Sequence, residues 1–394
     1  MTANKCPVCD GLLLHGFLQR AQVPVHQNLV VQQQDAARGV TRGELDMVVC
    51  ESCGFVFNRA FDLAKLSYGE DYDNSQSCSV YFDTYLDGLV KDLVENQGVR
   101  DSTVVEVGCG KGQFLRKLVA YPGAGNRGFG FDPSYIGPDS DLDGRLSFRP
   151  CYYDDSCTDV AADFVVCRHV IEHVPDPLQL LRSVRSALRS ASQARVFFET
   201  PCVEWILRNR VVWDFFYEHC SLFSAASLAK SFECCGFQVD RVDHVFGGQY
   251  LWLEARLATA DSQNTAVESD VGHTIALARR YGAEESALRL RWLTQLQQLR
   301  SQGKLALWGA GAKGATFANL VDPACTVLDC VVDVNPNKQG RFIPGTGHAI
   351  VAPRDLPGRG IRSAILMNPN YRNENMKLLA DAGIEIDLID WSDA

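Results

Sequence analysis

The sequence lacks three features that would tie it to a membrane or to a nucleic acid. No stretch of its 394 residues approaches the roughly 18 apolar residues that cross a bilayer, and its first residues contain no apolar signal region. No run of Lys and Arg offsets a net charge of −10, so phosphate backbones would be repelled overall. We therefore expect a cytoplasmic protein that binds a small molecule and neither a membrane nor a nucleic acid.

Cysteine is abundant, but its distribution excludes a disulfide framework. The 15 cysteines are odd in number and scattered along a long chain without a signal peptide. Four of them form two C-x-x-C pairs, Cys6 with Cys9 and Cys50 with Cys53. Two such pairs supply four thiolates in the tetrahedral geometry that zinc prefers, with no open position for catalysis. The pattern predicts a structural zinc ion, and the alternative is two chance pairs.

The most informative motif in the sequence is a glycine turn that follows an apolar run. Gly108, Gly110 and Gly112 leave no Cβ where a ligand would touch the backbone, and Glu106 precedes them. A dinucleotide turn would read G-x-G-x-x-G, so this G-x-G-x-G favours a ligand without a pyrophosphate, S-adenosylmethionine. Asp132 ends the next strand about 20 residues later, where a ribose needs an acid. The alternative is that both acids merely end strands.

Regular alternation of strands and helices predicts an α/β fold with a doubly wound parallel sheet. The apolar run 162–167 is typical of a central strand, and we expect Arg168 and His169, which follow it, beside the donor. His173 is expected to be a packed residue. The later helix ends at Gly236 and late strands close the series, which is the class I methyltransferase layout.

A second glycine turn lies further along the chain. Gly309, Gly311 and Gly314 form a true G-x-G-x-x-G, and Asp333 follows at the end of the next strand. The turn predicts a Rossmann-like unit, although no hydride chemistry is visible around it. The predicted domains are a zinc-binding module at 1–74, a class I methyltransferase domain at 75–257, a linker with a long helix at 258–302, and a Rossmann-like domain at 303–394.

An insertion at residues 204–220 carries the candidate base. In a doubly wound sheet it would lie over the carboxyl ends of the strands, where ligands bind. It ends in Tyr217, Glu218 and His219, which bring a phenol, a carboxylate and an imidazole together. A histidine with an ordinary pKa near 6.5 accepts protons at neutral pH. The alternative is that His219 caps or packs against a helix.

These motifs together resemble those of the nucleotide-sugar C-methyltransferases, over nearly the whole chain. The resemblance implies an acceptor that is a 4-keto-deoxysugar on a nucleoside diphosphate, with zinc in a structural role only. It implies that His219 removes the proton beside the ketone with help from Tyr217 and Glu218, and that Tyr72 lines the site. The carboxyl-terminal unit, through Lys313, Asn335 and Lys338, would hold the substrate.

Three other functions stay open from the sequence alone. The same histidine would serve an O-methyltransferase acting on a small-molecule hydroxyl. The second glycine turn would suit an NAD(P)-dependent oxidoreductase. A non-enzymatic zinc-knuckle adaptor with degenerate domains is the third.

Overall fold

The computed structural model describes residues 4–66, 78–157, 159–188, 194–259 and 270–391. Its amino-terminal elements are β1 (Leu14–Pro24), α1 (Gln34–Arg38), β2 (Arg42–Cys50) and β3 (Val56–Asn58). The three strands are antiparallel in the order β1-β2-β3. Leu14 at the start of β1 is opposite Cys50 at the end of β2, so the sheet brings the two C-x-x-C pairs to one end. The predicted site residue Tyr72 lies outside the described residues.

The central domain is built on an eight-stranded sheet in the described chain, in the order β11-β12-β9-β8-β4-β5-β7-β6. Its elements are α2 (Val80–Glu95), β4 (Thr103–Val107), α3 (Gln113–Ala120), β5 (Arg127–Phe131), β6 (Ser140–Asp141), β7 (Leu146–Arg149), β8 (Phe164–Arg168), α4 (Pro177–Ala187), β9 (Arg195–Pro201), α5 (Val203–Arg208), β10 (Ser221–Leu222), α6 (Ala225–Cys234), β11 (Phe237–Val245) and β12 (Tyr250–Leu257). The five strands β4, β5, β7, β8 and β9 are mutually parallel, and the β11–β12 hairpin adds to β9 in antiparallel fashion. This confirms the predicted class I methyltransferase fold.

Local signals in the sequence set the ends of the helices in this domain. Asp176 Oδ1 accepts the N–H of Gln179 at 3.0 Å at the start of α4. Ser224 forms a reciprocal capping box with Ser227 at the start of α6, and Gly236, with a φ of +78°, follows its end. Because the five central strands are parallel, the loops that follow them emerge on one edge of the sheet.

The carboxyl-terminal domain is a five-stranded parallel sheet in the order β15-β14-β13-β16-β17. Its elements are α7 (Val271–Gln302), β13 (Lys304–Trp308), α8 (Ala312–Val321), β14 (Cys330–Val332), β15 (Ile350–Val351), α9 (Leu356–Arg359), β16 (Ile361–Leu366), α10 (Arg372–Asp381) and β17 (Asp387–Asp390). The predicted Rossmann-like unit is thus present, with its glycine turn between β13 and α8. None of the described helices is long and apolar enough to cross a membrane.

The insertion between β9 and α6 contacts both the amino-terminal sheet and the carboxyl-terminal helices, and so connects them to the central domain. Its strand β10 pairs with β3 and so extends the amino-terminal sheet. Trp213 packs on Trp292 of α7 and on Phe317 of α8, with ring centroids 5.4 and 5.2 Å away. The proposed domain boundaries remain predictions, although β12 ends at Leu257 and α7 at Gln302, as the two later boundaries would require.

Candidate active site

A cavity of about 630 Å³ opens at the carboxyl ends of β4, β5 and β8. Six of the seven residues predicted to contact the donor line it: Glu106, Gly108, Gly110, Asp132, Arg168 and His169. The seventh, Gly112, does not. We call this space the donor cavity.

The three glycines of the donor turn have different reasons to be glycine. Gly110 has a φ of +53°, and a Cβ on it would meet no atom within 4 Å, so it leaves open space beside the cavity. A Cβ on Gly108 would collide with the side chain of Val170. A Cβ on Gly112 would come within 2.7 Å of the Phe148 ring. Gly112 is therefore required by packing and by its φ of +76° at the start of α3, which differs from the predicted contact with the cofactor.

Two acidic side chains border the donor cavity with different hydrogen bonding. Burial raises the pKa of Glu106 to about 8, although Arg168 opposes the shift, and Glu106 Oε2 has no hydrogen-bond partner among the described residues. Asp132 accepts the N–H of Gly110 at 2.8 Å, and Ser134 donates both its N–H and its hydroxyl to Asp132 at 2.7 Å. An unpartnered buried carboxyl group fits a ligand that brings a cation or a hydroxyl, and S-adenosylmethionine carries both.

A buried charge network fixes the end of β8. Arg168 Nη2 donates to Glu199 Oε1 at 2.7 Å, and His169 Nε2 lies 2.9 Å from the same oxygen. The Tyr85 hydroxyl donates to the other oxygen of Glu199. Burial works against a charge on His169, but the nearby carboxylates of Glu172 and Glu199 raise its pKa to about 9. His169 is therefore an imidazolium at neutral pH, and the network holds it at an uncommon φ of +55°.

A second cavity, of about 340 Å³, lies between the central and carboxyl-terminal domains, and we call it the acceptor cavity. It shares His169 and His173 with the donor cavity, so the two cavities meet at the end of β8. Lys313, Asn335 and Lys338, which were predicted to hold the substrate, all line it. His173, which we expected to be a packed residue, packs against the His219 ring and also borders both cavities.

Only one residue of the Tyr-Glu-His triplet lines the acceptor cavity. That residue is His219. The Tyr217 hydroxyl instead accepts the N–H of Asp62 at 2.8 Å and lies 3.1 Å from its carbonyl oxygen. Glu218 is fully buried and accepts the N–H of Gln27 at 2.8 Å. Tyr217 and Glu218 thus anchor the amino-terminal module, which differs from the expectation that they assist the base.

The surroundings of His219 keep its imidazole neutral. Burial, together with the nearby His173, His169 and Lys313, lowers the pKa of His219 well below its ordinary value. Its ring packs against Phe216 and, nearly perpendicular, against His173, with centroids 4.0 and 4.8 Å away. His219 makes no side-chain hydrogen bond with any residue in the part of the chain that the structure describes. Its lone pair is therefore available to a bound molecule.

The four predicted zinc ligands come together in the amino-terminal module. Sγ of Cys6 lies 3.6 Å from that of Cys53, and Sγ of Cys9 lies 3.6 Å from that of Cys50. All four sulfur atoms are within 4.8 Å of one another. Four thiolates at about 2.3 Å from a tetrahedral zinc ion would be about 3.8 Å apart, so the cluster fits zinc closely.

Each of the two cysteine pairs has the same type of backbone turn. Asp10 and Gly54, each directly after a second cysteine, have φ values of +58° and +73°. Their N–H groups donate to the carbonyl oxygens of Cys6 and Cys50 at 3.0 and 2.9 Å. The same turn in two distant segments argues against two chance pairs.

Sequence reasoning missed several residues of the acceptor cavity, among them Asp214 and Asn28. Asp214 accepts a hydrogen bond from Lys313 Nζ at 2.8 Å, and Asn28 accepts the N–H of Ala312 at 2.9 Å. Both residues reach the cavity from distant parts of the chain, and no local pattern marks them. His173 could have been found, because ligands bind at the carboxyl ends of parallel strands.

Known proteins match this chain over most of its length. Residues 82–242 match a family model described as a methyltransferase domain, and residues 258–384 match one described as a C-methyltransferase C-terminal domain. The C-methyltransferase NovU of Streptomyces niveus is 27% identical over 396 residues, covering 94% of this chain and 91% of that protein. The chain is an S-adenosylmethionine-dependent methyltransferase.

Solved structures resemble the methyltransferase over less than half of its length. One is a 1,6-didemethyltoxoflavin-N1-methyltransferase of Burkholderia thailandensis with bound S-adenosylhomocysteine, with a TM-score of 0.36 and 15% identity over 46% of this chain and 83% of that one. Another is the N,N-8-amino-8-demethyl-D-riboflavin dimethyltransferase RosA of Streptomyces davawensis, with a TM-score of 0.34 and 21% identity over 45% of this chain and 55% of that one. Both TM-scores are below 0.5, and neither structure bears on the assignment.

We predict that Gly110→Val abolishes binding of S-adenosylmethionine, because the new side chain would fill the open space beside the donor cavity. Asp132→Ala should weaken binding by about 1.5–3 kcal/mol, or roughly 10- to 150-fold, since it removes a charged hydrogen-bond acceptor. Isothermal titration calorimetry would measure both effects.

Gly144→Val is the matched control for the Gly110 variant. Gly144 has a φ of +79° and open space around it, but it lies between β6 and β7, and it does not line the donor cavity. The Gly144→Val substitution imposes the same kind of backbone strain, and this variant should bind the donor like the wild type. Unchanged affinity in both the Gly110 and Asp132 variants would show that the donor binds elsewhere.

Proposed function

We propose that the methyltransferase adds the methyl group to a carbon next to a carbonyl, on a ketosugar linked to a nucleoside diphosphate, with His219 as the general base. The observation that carries the proposal is that a neutral His219 lines a cavity meeting the donor cavity at His169 and His173. The printed activity of NovU, a C-methyltransferase, supports carbon as the acceptor atom.

The reaction needs a base more than it needs help at the methyl group. When bound in the donor cavity, S-adenosylmethionine supplies the methyl group as an electrophile that requires no activation by the protein. A ring nitrogen of His219 takes the proton beside the carbonyl, and the electron pair left behind forms an enolate. Glu106 and Asp132 would hold the donor, and the two joined cavities would hold both reactants within reach of each other.

The low pKa of His219 suits a base that is activated by its substrate. The unliganded ring is unprotonated at neutral pH and ready to accept a proton. Lys313 is one of the cations that lower its pKa. An anionic group bound beside Lys313 would offset that cation and raise the basicity of His219. Proton transfer would therefore be easiest once the correct acceptor is in place.

The carboxyl-terminal wall of the acceptor cavity has the chemistry of an anion site. Lys338 is 7% exposed, its Nζ donates only a long hydrogen bond of 3.4 Å to Ala310 O, and no described carboxylate pairs with it. Its Nζ lies 4.0 Å from where a Cβ on Gly311 would stand, beside the glycine turn. A buried ammonium group without a counter-ion favours a diphosphate, which supports a nucleotide-linked acceptor.

The alternatives have less support than carbon methylation. An O-methyltransferase would use the same histidine, and only the position of the new methyl group distinguishes it. An NAD(P)-dependent oxidoreductase conflicts with the match of residues 258–384 to the C-methyltransferase C-terminal domain. An adaptor without activity leaves the unpartnered Glu106 and the open His219 unexplained.

We predict that His219→Ala lowers the rate of methylation by about 10²–10⁴-fold, because a general base typically contributes that much. Donor binding should be unchanged. The sharper readout is exchange: in deuterated water with S-adenosylhomocysteine present, the wild type should wash out the proton beside the ketone, and the variant should not. Proton NMR of the ketosugar would measure this exchange.

His244→Ala, at an exposed histidine in β11, is the control and should keep full exchange. Exchange that persists in His219→Ala would place the base elsewhere. A wild type that methylates a hydroxyl without any exchange would establish the O-methyltransferase instead.

We predict that the enzyme methylates nucleotide-linked ketosugars and acts poorly on the same sugars without the diphosphate. Mass spectrometry of a panel of such pairs would measure the products. Lys338→Met should raise KM for the nucleotide-linked substrate by roughly 10- to 150-fold, the cost of about 1.5–3 kcal/mol for a charged hydrogen bond. Lys230→Met, at an exposed surface lysine, is the control. Equal rates with and without the diphosphate would contradict a nucleotide-linked substrate.

We also propose that the four clustered cysteines hold one structural zinc ion per chain. Structural zinc is worth about 10–16 kcal/mol in isolated finger peptides, so Cys50→Ser should release the metal and unfold the amino-terminal module. Donor binding should survive, because the donor cavity lies mainly in the central domain. Cys234→Ser, at an exposed cysteine, should keep the zinc. Elemental analysis that finds no zinc in unchelated wild-type protein would overturn the assignment.

A further inference from the structure

A second group of metal-binding side chains lies at the meeting point of the two cavities. Glu172, His173 and His219 each offer one ligand atom, and the three atoms lie within 4.8 Å of one another. All three residues line the acceptor cavity, and His173 lines the donor cavity as well. This group lies in the central domain and is distinct from the four cysteines.

Two imidazoles and one carboxylate are a ligand set that zinc and other divalent transition metals favour, with an open position for a further ligand. Ligands at about 2.0–2.1 Å from a tetrahedral ion are about 3.3–3.5 Å apart. The three ligand atoms lie within 4.8 Å of one another, so side-chain rotations that bring them closer together would reach that spacing.

The ligand atoms of Glu172 and His219 are available. Glu172 is fully buried, and Thr200 donates to its Oε2 at 3.0 Å. The other oxygen, Oε1, lies 3.4 Å from His169 Nδ1 and accepts no hydrogen bond of good geometry from the described residues. His219 makes no side-chain hydrogen bond there either. A buried carboxylate oxygen without a good partner is costly, and a cation would relieve that cost.

The geometry points to an inhibitory metal site: we propose that Glu172, His173 and His219 bind a divalent transition metal ion such as Zn²⁺ or Co²⁺, and that the bound ion stops the transferase. Inhibition rests on the proposed function, because a neutral imidazole has one basic lone pair, for which the metal and the substrate's proton would compete. One lone pair cannot do both. The ion would also stand where the acceptor approaches the donor.

Cobalt titration of the zinc-loaded enzyme tests the binding. We expect one equivalent of Co²⁺ to bind with visible d–d absorption and without the thiolate-to-cobalt charge-transfer band that cysteine ligands would give. His173→Gln and Glu172→Gln should each weaken this binding by more than about 100-fold, since losing even an outer-shell partner costs about 10–100-fold.

His244→Gln is the matched control for these variants. His244 is exposed and belongs to another group of possible ligands, with the buried Cys202 and with Glu204. In that group Glu204 already accepts a hydrogen bond from Thr274 at 2.6 Å, and burial raises the pKa of Cys202 to about 11, which disfavours a thiolate. This control should bind cobalt like the wild type.

Inhibition is measured on the same samples by exchange of the ketosugar proton in deuterated water. One equivalent of Co²⁺ should stop the exchange without changing the affinity for S-adenosylhomocysteine, and chelation should restore it. If no cobalt binds beyond the cysteine site, the metal site is overturned while the proposed function stands. If cobalt binds through the three residues and exchange continues, the inhibitory role is overturned and His219 is not the base. Equal binding by wild type and both variants would overturn the ligand assignment.

Discussion

The guanidinium group of Arg20 holds the segment on which the acceptor cavity depends. Its Nη atoms donate to the carbonyl oxygens of Phe215 and Val212 at 3.1 and 2.8 Å, and Nη2 lies 3.2 Å from Glu285 of α7. The segment before His219 has little regular structure and is buried, so its carbonyl groups need partners from elsewhere. An arginine from β1 supplies them. The position of the proposed base therefore depends on the amino-terminal module as much as on the central sheet.

Two neighbouring imidazoles have opposite charge states because their surroundings differ. Against the cost of burial, Glu172 and Glu199 raise the pKa of His169, which is charged at neutral pH. Burial, together with His173, His169 and Lys313, lowers the pKa of His219, which is neutral. When adjacent groups have pKa values pushed apart, the environment has assigned them different tasks. The charged ring fixes the end of β8 between the cavities, and the neutral ring keeps a free lone pair. The positive His169 also helps to lower the pKa of His219.

The sequence predicted most where short-range chemistry decides the structure. Asp176, Ser224 and Gly236 mark helix ends through local hydrogen bonds, and the glycine turns follow their strands as expected. The directions of Tyr217, Glu218 and His219 were harder to predict. Successive residues of an irregular segment point in different directions, and only packing decides which one faces a cavity. Tyr217 and Glu218 turned towards the amino-terminal module for that reason. The donor residues at strand ends could be predicted from topology, but contacts between domains, such as Asp214 with Lys313, follow from no local rule.

The second glycine turn shows how a Rossmann-like domain can form one wall of a methyltransferase's acceptor cavity. In a dinucleotide site the N–H groups at the start of the helix bind a pyrophosphate. Here Asn28 of the amino-terminal module accepts the Ala312 N–H at that position, and its Oδ1 lies 3.5 Å from where a Cβ on Gly311 would stand. Asp333, where a ribose acid is expected, accepts the N–H groups of Ala310 and Asn335 at 2.8 Å. The Ala312 N–H at the start of α8 is thus engaged within the chain. The ammonium groups of Lys338 and of Lys313, which pairs with Asp214, line the cavity. An anion can still bind there, but the charged lysine side chains would bind it, and not the N–H groups at the amino terminus of α8.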